Sequence, residues 1–161
     1  MWRHVPAGRE PLHLGTLLAQ SHGRWNRRGE YAALYTACTA EGARAEWVRL
    51  VAGAGSAVGS RDLVSLDVVV SPVLDLTEAS RYQTLAQRAG FNPHPKFLTD
   101  LAAVPYDHCQ QLADQARAEG ATALLVPSAP APAEKNLIIY IDVVAPKHVQ
   151  LANGPDRIRL S

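Results

Sequence analysis

Two cysteines, Cys38 and Cys109, are the only thiols in the 161-residue chain, and they show no C-x-x-C spacing. That is too few for a disulfide scaffold, so both read as buried or half-buried thiols of a reducing compartment. Net charge is also lacking, since 16 Lys and Arg against 15 Asp and Glu leave a formal +1. A general nucleic-acid binder needs a strong basic excess, so no direct contact with nucleic acid is expected. A small anionic ligand needs only local charge. No 18-residue apolar run occurs, and residues 1–6 lack the apolar stretch of a secretory leader. The expectation is a cytoplasmic protein with no membrane contact. The histidines, at 4, 13, 22, 94, 108 and 148, form neither an H-x3-H nor an H-E-x-x-H pair, so no metal is expected. No G-x-G-x-x-G follows a strand and no phosphate-loop motif occurs, which removes the main signal of the common nucleotide folds.

What is present suits one globular domain spanning residues 1–161, with 47% hydrophobic and 19% charged residues. Residues 31–37 read as a strand leading into a helix with Thr39 as N-cap. Ala40, Ala43, Trp47, Leu50, Val51 and Ala54 then recur at helical spacing, and the helix stops around Gly53-Ala54-Gly55. Residues 63–70 alternate as a half-buried strand, with Val64, Leu66, Val68 and Val70 on one face. A second helix covers 77–89 and is closed by Gly90, and a third opens with Asp107 and Gln110 as a capping box and closes at Gly120. Apolar strands at 121–126 and 137–143 flank a proline loop, and a short strand lies near 148–151. Short connections predict antiparallel pairing in that last part. The class is α+β, a compact mixed or antiparallel sheet flanked by helices.

Three features carry candidate chemistry. In His22-Gly23-Arg24-Trp25-Asn26-Arg27-Arg28-Gly29, three arginines fall within five positions between glycines, and residues 1–30 hold five arginines against two glutamates. Guanidinium forks match phosphate oxygens, so the loop suits a pyrophosphate clamp; a solvated surface loop suits the same composition. Glu46 falls about 40° beyond Leu50, at the margin of the apolar stripe, where its head either enters a cleft or stays in water. Ser128 ends an apolar strand, pointing into a site or bonding its own turn, and no G-x-S-x-G elbow surrounds it.

Taken in order, Gly23-Arg24-Trp25-Asn26, Ala33-Leu34-Tyr35, Glu46 on the next helix, and Val126-Pro127-Ser128-Ala129 ahead of Asn136 form a series. That series resembles the RES domain family, named for an arginine, a glutamate and a serine in this order. The resemblance runs from Trp2-Arg3 to Asp156-Arg157. It implies a fold related to ADP-ribosyltransferases and a toxin acting on NAD⁺, paired with an Xre-type antitoxin; a homodimer and a higher complex with that partner are both open. Carried over by motif, Arg24, Glu46 and Ser128 are the name-giving residues, Tyr35 is the aromatic of the L-Y pair, and Asn136 matches an asparagine after the P-S-A loop. Arg3 matches an early arginine of the family. His22-Gly23 in place of Gly-Gly, Arg27-Arg28 in place of Pro-Pro, and Asn136-Leu137 in place of N-P depart from the pattern and bear on loop shape and acceptor choice.

Cleaving the nicotinamide–ribose bond requires a pyrophosphate clamp, a carboxylate near the ribosyl cation and a flat apolar surface for nicotinamide. These roles are expected of Arg24 with Arg27 or Arg28, of Glu46 and of Tyr35, with Ser128 orienting the substrate. Trp25, Asn26 and Asn136 complete the expected NAD⁺ contacts. The acceptor, whether water, inorganic phosphate or a protein side chain (a mono-ADP-ribosyltransferase), is open at this point. A non-catalytic nucleotide- or partner-binding module is the competing class. Trp47 and Tyr82 are candidate subunit contacts, or core residues.

Overall fold

The computed structural model describes residues 1–12, 22–54, 59–152 and 157–160. Its sheet has eight strands: β1 (Trp2–Pro6), β2 (Ala33–Ala37), β3 (Arg61–Val68), β4 (Val73–Asp75), β5 (Ala123–Pro127), β6 (Lys135–Tyr140), β7 (Val149–Leu151) and β8 (Arg157–Leu160). They run in the order β4-β5-β6-β2-β1-β3-β7, with β8 also on β3. Every pairing is antiparallel except β4 with β5. Among the described residues the α-helices are α1 (Ala40–Ala54), α2 (Ala79–Arg88) and α3 (Tyr106–Ala118). This is the expected α+β class. No helix of the described residues is long and apolar enough to cross a membrane.

The pairing thins at one place. β1 and β2 meet only at Trp2↔Ala37, whereas β1–β3 and β2–β6 each pair at five positions. The sheet therefore parts into two halves, β4-β5-β6-β2 and β1-β3 with β7 and β8, and a cleft opens where they diverge.

Packing explains the strands. β6 is buried on both faces, with Ile138 and Tyr140 in the large core under α2 and α3 and Leu137 and Ile139 in a second core with Val5, Leu34, Val64 and Leu66. A strand so enclosed reads as a continuous apolar run rather than an alternating one. β3 departs from the half-buried strand expected at 63–70. It begins at Arg61, and Asp62 and Leu63 are buried as well as Val64 and Leu66. The reason is that α1 lies over its second face, where Leu63 packs with Ala43. β4 and β8, of three and four residues, are too short to leave a periodic signal.

α1 starts as expected. Gly42 N donates to Thr39 Oγ1 at 2.9 Å, and Ala43 N donates to the Thr39 carbonyl at 3.2 Å. Ala40, Ala43 and Trp47 of the expected stripe pack with Leu63, whereas Leu50 and Ala54 farther along it are exposed. The stripe of Ala43, Glu46, Leu50 and Gly53 instead lines the cleft. The helix reaches Ala54; the Gly55 part of the expected stop lies outside the described residues.

α2 and α3 end at Gly90 and Gly120, whose φ values of +86° and +88° are those of a left-handed cap. The expected capping box at Asp107 and Gln110 is absent. α3 opens behind Pro105 with no side-chain cap bond, and Gln110 lies inside the helix facing another loop. Tyr82 is buried and stacks on Phe97 with centroids 3.9 Å apart, so it is a core residue and not a subunit contact.

Candidate active site

Segments far apart in the chain converge on the cleft, which has a volume of about 910 Å³. Strand register sets one wall. Asn136 pairs with Ala37 on one side and Val126 on the other, and Ile138 pairs with Tyr35. Residues directly opposite one another share a face, so Tyr35, Asn136 and the end of β5 present the same way. Ser128 follows that end, fully buried, with its N–H on the Glu134 carbonyl at 2.9 Å.

α1 brings Glu46 down onto this wall. The start of the helix is tied to the turn before β6, since Cys38 N donates to the Lys135 carbonyl and Thr39 Oγ1 donates to Glu134 Oε2 at 2.5 Å. Two turns on, Glu46 Oε1 accepts from Ser128 Oγ at 3.0 Å and from Asn136 Nδ2 at 2.7 Å. An ionised carboxylate only accepts, so Asn136 must turn its NH₂ to Glu46 and its Oδ1 away. That Oδ1 is buried with no partner among the described residues. It offers a lone pair to a ligand donor.

The arginine loop is a tight turn, with Gly23 and Asn26 bridged at both backbone positions. Gln110 Nε2 straps it from α3, donating to the carbonyls of Gly23 at 2.9 Å and Asn26 at 3.2 Å. Tyr35 props it from below. Its hydroxyl receives the Trp25 N–H at 2.9 Å and donates to Asn26 Oδ1 at 2.8 Å, and burial pushes its ionisation upward. A Cβ at position 23 would lie 2.2 Å from that hydroxyl, so only glycine fits.

Arg24 is 7% exposed and lies along the opening of α3. Its Nη1 donates to the Val104 carbonyl at 2.5 Å and approaches Cys109 Sγ at 3.8 Å, while Tyr106 covers the guanidinium at 4.5 Å. Burial raises the Cys109 thiol to about 11, with Arg24 opposing it. Trp25 is a core anchor, edge-on to Phe97 with centroids 6.0 Å apart.

Of the residues expected at the site, Arg24, Trp25, Asn26, Tyr35, Glu46 and Asn136 all line the cleft. Ser128 stands behind Glu46, between the lining residues Pro127 and Ala129. Arg27 is not brought to the cleft. Its guanidinium turns to α3, with Nε on Asp114 at 2.9 Å and Nη1 on Gln110 at 3.3 Å, and the Asp114 hydrogen bond raises its pKa. Arg28 is exposed and outside the lining.

Other lining residues carry no motif. Tyr106 opens a helix, where an aromatic has no distinctive spacing, and Gln110, which holds the loop, fits the spacing of a capping box. Arg3, His4, Arg49 and Arg61 also line the cleft, from β1, α1 and β3. Among the described residues no three His, Cys, Asp or Glu side chains come together to hold a metal ion.

A sheet parted around a cleft that holds an arginine, a glutamate and a serine from separate segments defines the class of structure. The RES domain model matches residues 2–160, and the chain belongs to that family. The fold is similar to that in the crystal structure of the M. tuberculosis MbcT–MbcA toxin–antitoxin complex, with a TM-score of 0.74 at 23% identity over 99% of this chain and 82% of that one. No curated protein matches the chain.

Proposed function

We propose that this protein cleaves the nicotinamide–ribose bond of NAD⁺. The observation that carries the reading is the Glu46 carboxylate, fixed by Ser128 and Asn136 in a cleft that the Arg24 turn also lines. When the C–N bond breaks, its electron pair leaves with neutral nicotinamide and positive charge spreads over C1′ and the ring oxygen of ribose. A carboxylate held in place before the reaction stabilises that charge without reorganising. Ser128 and Asn136 are positioning residues, since both act through Glu46. The free Oδ1 of Asn136 suits a ribose hydroxyl or a carboxamide N–H. The rings of Tyr35 and Tyr106 supply flat surface for nicotinamide.

An acceptor then closes the reaction at C1′: water yields ADP-ribose, and inorganic phosphate yields its 1″-phosphate. The chain acts as a toxin in the cytoplasm, and an antitoxin, of Xre type by the family resemblance, covers the cleft. The likeness in fold to a toxin crystallised with its antitoxin supports that pairing.

The test is mass-resolved product analysis of purified protein with NAD⁺, with and without inorganic phosphate. Free nicotinamide with one of the two ADP-ribosyl products is expected. NAD⁺ left intact in both reactions overturns the reading, and NAD⁺ that raises the melting temperature without being consumed points to a binding module.

A further inference from the structure

The cleft holds a second set of cations that the arginine loop does not supply. On β1 and β3, His4 pairs with Leu63 and Pro6 with Arg61, which puts His4 and Arg61 diagonally on one face. Arg61 Nη1 lies 3.3 Å from His4 Nδ1. A guanidinium can only donate, so Nδ1 carries the lone pair and the imidazole proton sits on Nε2. Arg3, beside His4 on β1, donates from Nη1 to the Pro11 carbonyl at 2.8 Å. Arg49 follows Glu46 on α1 by one turn. All four residues line the cleft.

This grouping is costly without a counter-charge. Burial and the neighbouring guanidiniums push His4 down to about 4, and burial with Arg61 brings Arg3 down to about 10. Among the described residues, no carboxylate comes within ion-pair distance of Arg3, Arg49 or Arg61. Asp62, next in sequence to Arg61, is committed to Arg159 at 2.6 Å and to the Gly8 N–H at 3.1 Å. Half-buried arginines ordinarily bring a partner with them. An anion entering the cleft would supply that partner.

We propose that Arg61, with Arg3, Arg49 and the His4 that holds it, forms a phosphoryl-anion subsite that takes the diphosphate of the dinucleotide. Naming the ligand rests on the proposed function; the anion site itself does not. A forked guanidinium presents two parallel donors to phosphoryl oxygens, and Arg61 has Nη2 and Nε beyond its His4 contact. The subsite is built from β1, β3 and α1, segments separate from the Arg24 turn, where Arg24 Nη1 is engaged by the Val104 carbonyl. The same chemistry would hold free inorganic phosphate, so the experiment separates the two sources.

The test is titration of the wild-type protein, Arg61→Gln and Arg61→Lys with ADP, inorganic pyrophosphate, inorganic phosphate and nicotinamide, at two salt concentrations, with folding checked by thermal melting. ADP and pyrophosphate are expected to bind and to weaken roughly tenfold or more in Arg61→Gln, as befits the loss of a charge-assisted contact. Nicotinamide affinity stays unchanged. Arg61→Lys keeps the charge, loses the fork and falls between the two; it also serves if Arg61→Gln does not fold. Wild-type protein that binds neither ADP nor pyrophosphate, or variants that bind both as tightly as wild type, overturn the proposal. Inorganic phosphate that competes with ADP supports it. Inorganic phosphate that binds alongside ADP and is itself weakened by Arg61→Gln gives the subsite to free phosphate and overturns the assignment to the diphosphate. These are binding readouts and separate from the activity. Protein that consumes no NAD⁺ yet binds ADP through Arg61 loses the proposed reaction and keeps the subsite, and turnover with unchanged KM in Arg61→Gln does the reverse.

Discussion

The two walls of the cleft hold their polar groups in opposite ways. On the β2–β6 wall, side chains are tied to one another: Glu46 to Ser128 and Asn136, and Tyr35 to Asn26 and the Trp25 N–H. On the β1–β3 wall, Arg61 faces a neutral His4 beside Arg3, and no described carboxylate balances them. The first wall has its geometry set before a ligand arrives, which suits a group that must meet a transient charge. The second is short of charge and gains stability from whatever anion supplies it. Under the proposed function, one wall serves the chemistry and the other the capture.

That contrast predicts a graded response to substitution. Glu46→Gln has the largest expected effect. The amide oxygen still accepts from Ser128 and Asn136, so the fold is kept, while turnover of NAD⁺ falls by roughly 10²-fold or more. A rate equal to wild type in a product-release assay would remove Glu46 from the chemistry. Next is Gly23→Ala, whose Cβ would meet the Tyr35 hydroxyl at 2.2 Å and Asn26 Oδ1 at 2.9 Å. Overpacking of this kind costs about 1–3 kcal/mol. Thermal melting should show the loss, and Tyr35→Phe in the same chain should recover part of it, as a double-mutant cycle would report.

Ser128→Ala leaves Glu46 with Asn136 alone and should lower turnover by roughly tenfold, within the range of one hydrogen bond to a charged group. Because both donors reach the same oxygen, Ser128→Ala and Asn136→Ala are expected to be non-additive in kcat. The smallest effect belongs to the capture wall and is read through pH. Unfolded His4 takes up its proton near 6.5, and folded His4 resists until about 4. Over that window the unfolded state binds more protons, so stability declines as pH drops. His4→Gln should flatten the melting-temperature profile there; an unchanged slope would show that His4 is not the group responsible.

The same contrast separates what could be read in the sequence from what could not. Helices α1 and α2, the apolar strands β5 and β6, and the Thr39 cap announce themselves through period and local chemistry, which depend on near neighbours. Arg24, Glu46, Ser128 and Asn136 came from the order of short motifs, and the structure brings them to one place. Arg27 had the same composition argument as Arg24, but its direction depends on Asp114, 87 positions away. Gln110 satisfied the spacing of a capping box, yet Pro105 starts the helix and leaves that glutamine for the loop. The β1–β3 wall left no motif at all. His4 and Arg61 become neighbours only through strand register, and their meaning lies in the absence of an acid beside them, which no local window contains.

The long reach of the contacts around Glu46 has a consequence for the time at which the site comes into being. Its two donors lie 82 and 90 positions downstream, and the turn holding Arg24 is fastened to carbonyl and amide groups 80 to 87 positions away. A nascent chain emerging from the ribosome can form α1 early, but Glu46 then stands without Ser128 or Asn136. Until β6 has been translated and has paired with β2, there is no assembled cleft. A protein with the proposed chemistry is thereby harmless through most of its own synthesis, and a partner translated beforehand has that interval in which to meet it.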